Sequence, residues 1–218
     1  MAYRFENGVM TVSGPSGSGK TLLVEKLRDL FAASGQEIEV FFAGEMLKEE
    51  KRKRGEGEII DFFQRSQDTD RRIDQAQMEM LCCAQGPTII DARLAGILAT
   101  VERLDADKTG KEIPETYTVL VTAGKIRFKR LLKREGERGF KGNLKDITIL
   151  TLDRENKDSM RWVEQHPELQ GKNPFDKKLI IDGRQVYDEV IDTTEMTPEE
   201  VENRALSGMA RRGFVRRE

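Results

Sequence analysis

Residues 11–27 read TVSGPSGSGKTLLVEKL. An apolar run from Val9 to Val12 precedes the glycines and an amphipathic run from Leu22 to Ala33 follows them, so the segment reads as strand, loop, helix. Gly14, Pro15, Ser16, Gly17, Ser18, Gly19, Lys20 and Thr21 fit the phosphate-loop pattern G-x-x-x-x-G-K-[ST] at every fixed position. Glycines at 14, 17 and 19 allow the backbone to curl until successive N–H groups point inward at phosphate oxygens, at the positive end of the following helix. Lys20 then reaches the outer phosphates and Thr21 can ligate magnesium. The spacing predicts a site for a nucleoside triphosphate such as ATP, with Mg.

Outward from this loop, further short apolar runs fit strands: Ile38 to Phe42, Thr88 to Ile90, Tyr117 to Val121, Leu179 to Ile181 and Val190 to Ile191. Helical stretches such as Ile126 to Lys133 lie between them, so the expected class is α/β, a P-loop three-layer α/β/α arrangement with a parallel sheet of about five strands. The chain of 218 residues suits one domain in which 8–47, 87–133 and 179–210 form the core. Two stretches are longer than a crossover needs: a helical one over 48–86 and a charged, Gly-containing one over 134–178. Each follows the C-terminal end of a strand, where open α/β sheets build their sites. They are expected to be the moving parts, and the basic tail MARRGFVRRE is expected to fray.

Charged residues make up 35% of the chain, with 37 Lys+Arg against 39 Asp+Glu. This balance gives no overall pull toward nucleic acid or a membrane surface, and no nucleic-acid partner is expected. The only two cysteines, Cys82 and Cys83, are adjacent, which excludes a disulfide framework and reads as buried reduced thiols. No apolar run reaches membrane-span length and MAYRFENG lacks a signal-peptide layout, so the expected setting is cytoplasmic, as a monomer or weak dimer acting on small molecules.

A phosphate loop serves switches, motors and kinases alike. A GTPase-type switch would need Asp-x-x-Gly and Asn-Lys-x-Asp; IIDARLAG supplies Asp91 at the wrong spacing, and no Asn-Lys-x-Asp segment is present. The chain is short for a motor, whereas two helical insertions suit a small kinase that closes over its reactants.

The stretches FFAGEMLKE, DTDRRIDQAQMEM, TIIDARLAGIL, RFKRLLKREG, LDRENKDSMRW and VYDEVIDTTEMTPEEV carry a resemblance. In this order and spacing, from about residue 8 to about 203, the chain resembles the cytidylate kinase-like branch of the nucleoside monophosphate kinases. The resemblance implies that Gly44 and Glu45 open the acceptor-binding subdomain, that Asp70 and Asp74 lie on its helix near the acceptor nucleotide, and that Arg93 holds the acceptor phosphate. It implies further that Arg127, Arg130 and Arg134 lie on the helix leading into the lid, and that Arg154 and Arg161 are lid arginines on its far side. The implied reaction is transfer of the γ-phosphoryl of ATP to CMP or dCMP. Lys48, Ala76 and Asp91-Ala92 stand where the family has Arg, Arg and Glu-Gly, leaving fewer guanidiniums for an acceptor phosphate.

On a helix, Arg127, Arg130 and Arg134 share one arc beside the apolar arc of Phe128, Leu131 and Leu132, and Arg154 and Arg161 share a face. The plain alternative is a solvated basic edge. Asp70 and Asp74 could equally form a surface charge ladder, and Arg93 a structural ion pair. Asp91 ends a strand beside the loop, where a carboxylate can hold magnesium through water. Catalysis would fall to Lys20, Arg130, Arg154 and Arg161. His166 sits in a charged, exposed-looking stretch and Trp162 reads as packing. The lack of a histidine at the proposed centre suits a phosphate acceptor, which needs no general base. A kinase with a hydroxyl acceptor, and a nucleotide-binding regulator without an acceptor site, both stay open.

Overall fold

A computed structural model describes residues 3–53 and 67–217. Part of the 48–86 stretch, residues 54–66, lies outside the described residues. The elements are β1 (Tyr3–Phe5), β2 (Val9–Ser13), α1 (Lys20–Ala33), β3 (Glu39–Phe42), α2 (Ala43–Lys53), α3 (Gln67–Cys83), β4 (Thr88–Asp91), α4 (Ala95–Thr109), β5 (Thr116–Thr122), α5 (Ile126–Glu137) and α6 (Leu144–Gln165). After a short 3₁₀ turn (Pro167–Leu169) come β6 (Ile180–Ile181), β7 (Arg184–Gln185), β8 (Glu189–Asp192), α7 (Pro198–Arg211) and β9 (Val215–Arg217).

Five strands make one parallel sheet in the order β3-β4-β2-β5-β8. Its alternating residues face two apolar layers, as strand geometry requires. Met10, Val12, Ile89, Val119 and Val121 pack with Leu23, Val24 and Leu27 of α1 and Val201 and Ala205 of α7. Val9, Ile90 and Leu120 pack on the other side with Leu81 of α3, Ile97 and Leu98 of α4 and Trp162 of α6. The fold is thus a P-loop three-layer α/β/α fold. β2 lies at the centre because the chain runs from it to β3 and β4 on one side, then to β5 and β8 on the other. The loop after β2 consequently opens at the switch in strand direction of travel, where such sheets bind ligands.

Three expectations are corrected. Leu179 to Ile181 is not a strand of the main sheet: Ile180–Ile181 pairs with Arg184–Gln185 around Asp182-Gly183, both at positive φ. Asp-Gly between two extended pairs is a strong hairpin turn signal, and it holds the chain in a local ribbon. The C-terminal tail does not fray, because β9 pairs antiparallel with β1 and carries Phe214 and Val215 into the core beside Phe5 and Tyr117. The cysteines are free, but Cys83 is exposed and Cys82 half-buried. Leu81 takes the inward direction on α3, and helical geometry then turns the next two residues away from it.

Phe214 is 5% exposed and its ring lies 5.8 Å from that of Tyr117. Phe214→Ala is expected to lower the unfolding free energy by about 3–5 kcal/mol in a urea titration, through the cavity it leaves. A frayed tail would show no change.

Candidate functional site

The loop bends as its glycines demand. Gly14 has φ +145, and a Cβ there would lie 2.0 Å from the Val121 carbonyl oxygen of β5. At Gly17, φ is +78 and a Cβ would lie 2.7 Å from the Arg127 carbonyl oxygen and 2.9 Å from the Leu131 side chain. Any larger residue would push α5 off the loop. Gly19, at φ +100, turns the chain into α1, so the helix N-terminus opens at the loop. The Lys20 ammonium donates to the Pro15 carbonyl (3.2 Å), and Ser18 is buried.

The pKa of the Lys20 ammonium is lowered from its ordinary value to about 8. Burial lowers it most, Asp91 opposes this, and the nearby positive charges of Arg93, Arg134 and Arg154 lower it further. Thr21 Oγ1 donates to Asp91 Oδ2 at 2.6 Å. Burial raises the Asp91 carboxyl above its ordinary range, against Lys20 and the Thr21 hydrogen bond. A hydroxyl and a carboxylate at the mouth of the loop fit Mg²⁺, a hard cation that needs few protein oxygens when phosphates and waters complete its shell. No cluster of three or more acidic, His or Cys ligands occurs among the described residues.

The arginines converge, but on carboxylates that the sequence reading passed over. Asp158 of α6 is 1% exposed and takes Arg93, Arg154 (3.5 Å) and Arg161 as ion-pair partners. Glu155, one turn earlier, accepts a bidentate pair from Arg127 (2.8 and 2.9 Å) and lies 3.7 Å from Arg93. The spacing 154, 155, 158, 161 places these groups on one side of α6, so a charge pattern on a helix was readable; which partners they meet across the fold was not. Arg127 also reaches the Ser16 carbonyl (3.4 Å). Arg130 donates to the hydroxyl and carbonyl of Thr193 (2.8 and 2.7 Å), and the Thr193 hydroxyl donates to the Ser18 carbonyl (2.8 Å). Arg130 is thus tied to the loop's own backbone. Arg134 pairs with the buried Glu135 (2.7 Å).

On α3, Asp70 is buried and accepts from Arg161 at 2.8 Å, so the surface charge ladder is replaced by an inter-helix contact. Asp74 lies 3.0 Å from His166 Nε2. His166 is mostly buried, contrary to the exposed position expected for it. Burial alone would lower its pKa, but the Asp74 hydrogen bond and the charges of Asp74 and Glu168 outweigh this and raise it. Glu45 stays exposed on α2 and takes the Lys48 ammonium at 2.6 Å. A cleft of about 670 Å³ lies along α3, lined by Arg71, Asp74, Met78, Cys82, Glu102 and His166 among others, and contains no phosphate-loop residue.

With this geometry in view, the AAA domain family model matches residues 13–148. The chain belongs to the AAA domain family. The matched part of this AAA domain includes the loop, Asp91, Arg93 and the arginines of α5, and stops before Arg154, Asp158 and Arg161. No curated protein matches the chain. Among solved structures, an uncharacterized protein from Eubacterium ventriosum is similar at 15% identity and TM-score 0.56, covering 93% of this chain and 98% of its own. An unliganded sugar kinase from Janibacter sp. is similar at 16% identity and TM-score 0.50, covering 94% and 95%. At these identities the likeness is one of fold. Loop, family and fold together are those of a P-loop nucleotide-binding domain. No described helix is long and apolar enough to cross a membrane.

Nucleotide affinity is expected to fall as pH rises through about 8. The bound anion stabilises the charged ammonium, whereas the free protein loses that charge above its pKa, so affinity drops on the order of tenfold per pH unit beyond it. Calorimetric titration of Mg-ATP between about pH 7 and about pH 9 measures this. A flat profile would belong to an ordinary lysine.

Proposed function

We propose that the protein transfers the γ-phosphoryl of ATP, with Mg, to a nucleoside monophosphate, CMP or dCMP. The observation that carries this reading is the convergence of Arg93, Arg154 and Arg161 on one buried carboxylate, Asp158. That many guanidiniums exceed what a triphosphate already held by the loop requires, and they suit a second phosphate, which each can grip through paired N–H groups. Residues 1–218 would act as a single kinase domain, with 48–86 as the acceptor-binding insertion and 134–178 as the lid.

In this reading Mg²⁺, held by Thr21 and Asp91, would neutralise phosphate charge. The loop amides and Lys20 hold the donor, and Arg93 anchors the acceptor phosphate. Arg154 and Arg161 meet charge that spreads over the transferred group, and Arg130 braces the loop through Thr193. Asp70 and Asp74 set the acceptor helix against α6. The preference for cytosine rests on the resemblance around DTDRRIDQAQ and DARLAG alone. ADP formation with a panel of monophosphates tests the whole reading: CMP or dCMP is expected to exceed AMP and GMP, and a purine or alcohol preference would overturn it. Arg161→Ala is expected to lower kcat on the order of a hundredfold with a smaller effect on KM, as for a contact made chiefly in the transition state.

One observation favours a second reading. Asp158 places a buried carboxylate among the arginines, where a hydroxyl acceptor would use it as a general base. Asp158→Asn separates the two. With a phosphate acceptor, the acceptor KM changes and kcat stays within about tenfold; with a hydroxyl acceptor, kcat falls by roughly a hundredfold or more.

A further inference from the structure

Arg93 leaves the C-terminal end of β4 and meets two aromatic rings as well as two carboxylates. Its guanidinium carbon lies 4.6 Å from the centre of the Trp162 ring and 5.6 Å from that of Phe175. The two rings stand at 90° with centres 6.1 Å apart, forming a corner around the cation. Trp162 is 6% exposed and belongs to the same apolar layer as Leu169, Leu179 and Val186.

The second ring is delivered by a segment built for rigidity. Asn173 Oδ1 accepts from the Phe175 amide (3.0 Å), and the Asn173 carbonyl accepts from the Asp176 amide (3.0 Å). The Tyr187 hydroxyl donates to the Pro174 carbonyl, the residue before Phe175, at 2.5 Å. Tyr187 is buried, and the β6–β7 ribbon closes the segment through the Val186 amide and the Leu179 carbonyl (3.0 Å). A loop held at both ends in this way presents one side chain in one place.

We propose that Trp162 and Phe175 are positioning residues for Arg93, fixing the plane of its guanidinium so that its edge is presented to the acceptor's anionic group. The physical reason is the shape of the cation. A guanidinium is weakly hydrated on its faces and donates only in its plane, so an aromatic ring can cover one face while the N–H edge remains committed to anions, and a second ring at 90° to the first bounds the cation from another side. Asp158 and Glu155 take that edge here, and an acceptor phosphate would replace them with the arginine's orientation already set. Ordering the side chain beforehand removes an entropic cost from binding. The same clamp places Trp162 on α6, so occupancy at Arg93 is felt directly by that helix. The inference rests on the reading of Arg93 as the acceptor anchor.

Trp162 is the only tryptophan in the chain, so the protein's tryptophan fluorescence reports on the surroundings of this one ring, with the Arg93→Gln control isolating the part due to Arg93. With the loop filled by Mg-ADP, CMP and inorganic phosphate are titrated into the full-length protein, its Phe175→Leu and Phe175→Tyr variants and an Arg93→Gln control. A saturable change is expected in the wild type and none in Arg93→Gln. Phe175→Leu is expected to weaken the titration about fivefold or more, while Phe175→Tyr, which keeps the ring, stays within about twofold. In turnover, Phe175→Leu and Trp162→Leu are expected to raise the acceptor KM with the ATP KM unchanged, and Trp162→Phe to restore much of the loss. A merely structural role would move both KM values and the melting temperature together, and would overturn the proposal, as would an unchanged titration in Phe175→Leu. Absence of acceptor-dependent ADP in the wild type, with the titration behaving as expected, would remove the kinase reading and leave the clamp standing.

Discussion

The Val121 carbonyl presses on Gly14 and the Arg127 carbonyl presses on Gly17, and the rest of the site depends on these two contacts. They are possible only where no Cβ exists, so the loop can be both tightly bent and in direct contact with β5 and α5. Because α5 rests on the loop, Arg127 reaches Ser16 and Arg130 reaches Ser18 through Thr193. The position of the phosphate cradle and that of the basic helix are therefore one constraint. α6 is then oriented by charge, since Glu155 binds Arg127 on α5 while Asp158 binds Arg93 at the end of β4.

Buried charge organises what lies beyond the loop. Removing ions from water is costly and is offset only when partners and hydrogen bonds are well placed. Three buried carboxylates near the site have cationic or hydroxyl partners: Asp91 with Lys20 and Thr21, Asp158 with three arginines, Asp70 with Arg161. The lowered pKa of Lys20 reflects its burial first, with Asp91 opposing and the nearby arginines adding to the effect. The carboxylates of α6 hold Arg93, Arg127, Arg154 and Arg161 in register with one another.

Much of this was legible along the chain because it is local. The eight residues from Gly14 to Thr21 name the cradle, the alternating apolar runs name the parallel sheet, and Asp91 stands where strand register with Val12 brings it to Thr21. Each follows from backbone geometry over a few residues, or from the regular pairing of neighbouring strands. Even the hairpin at Asp182-Gly183 carried its own turn signal. Tertiary structure alone decided how the charges pair. Arg161 meets Asp70 across 91 positions and Arg93 meets Asp158 across 65, and charged residues are so frequent in this sequence that periodicity cannot choose among partners. The aromatic corner around Arg93 and the anchored C-terminal strand belong to the same class. They depend on which distant surfaces the sheet brings together, and their physical reason, burial that must be paired or packed, exists only once the layers have closed.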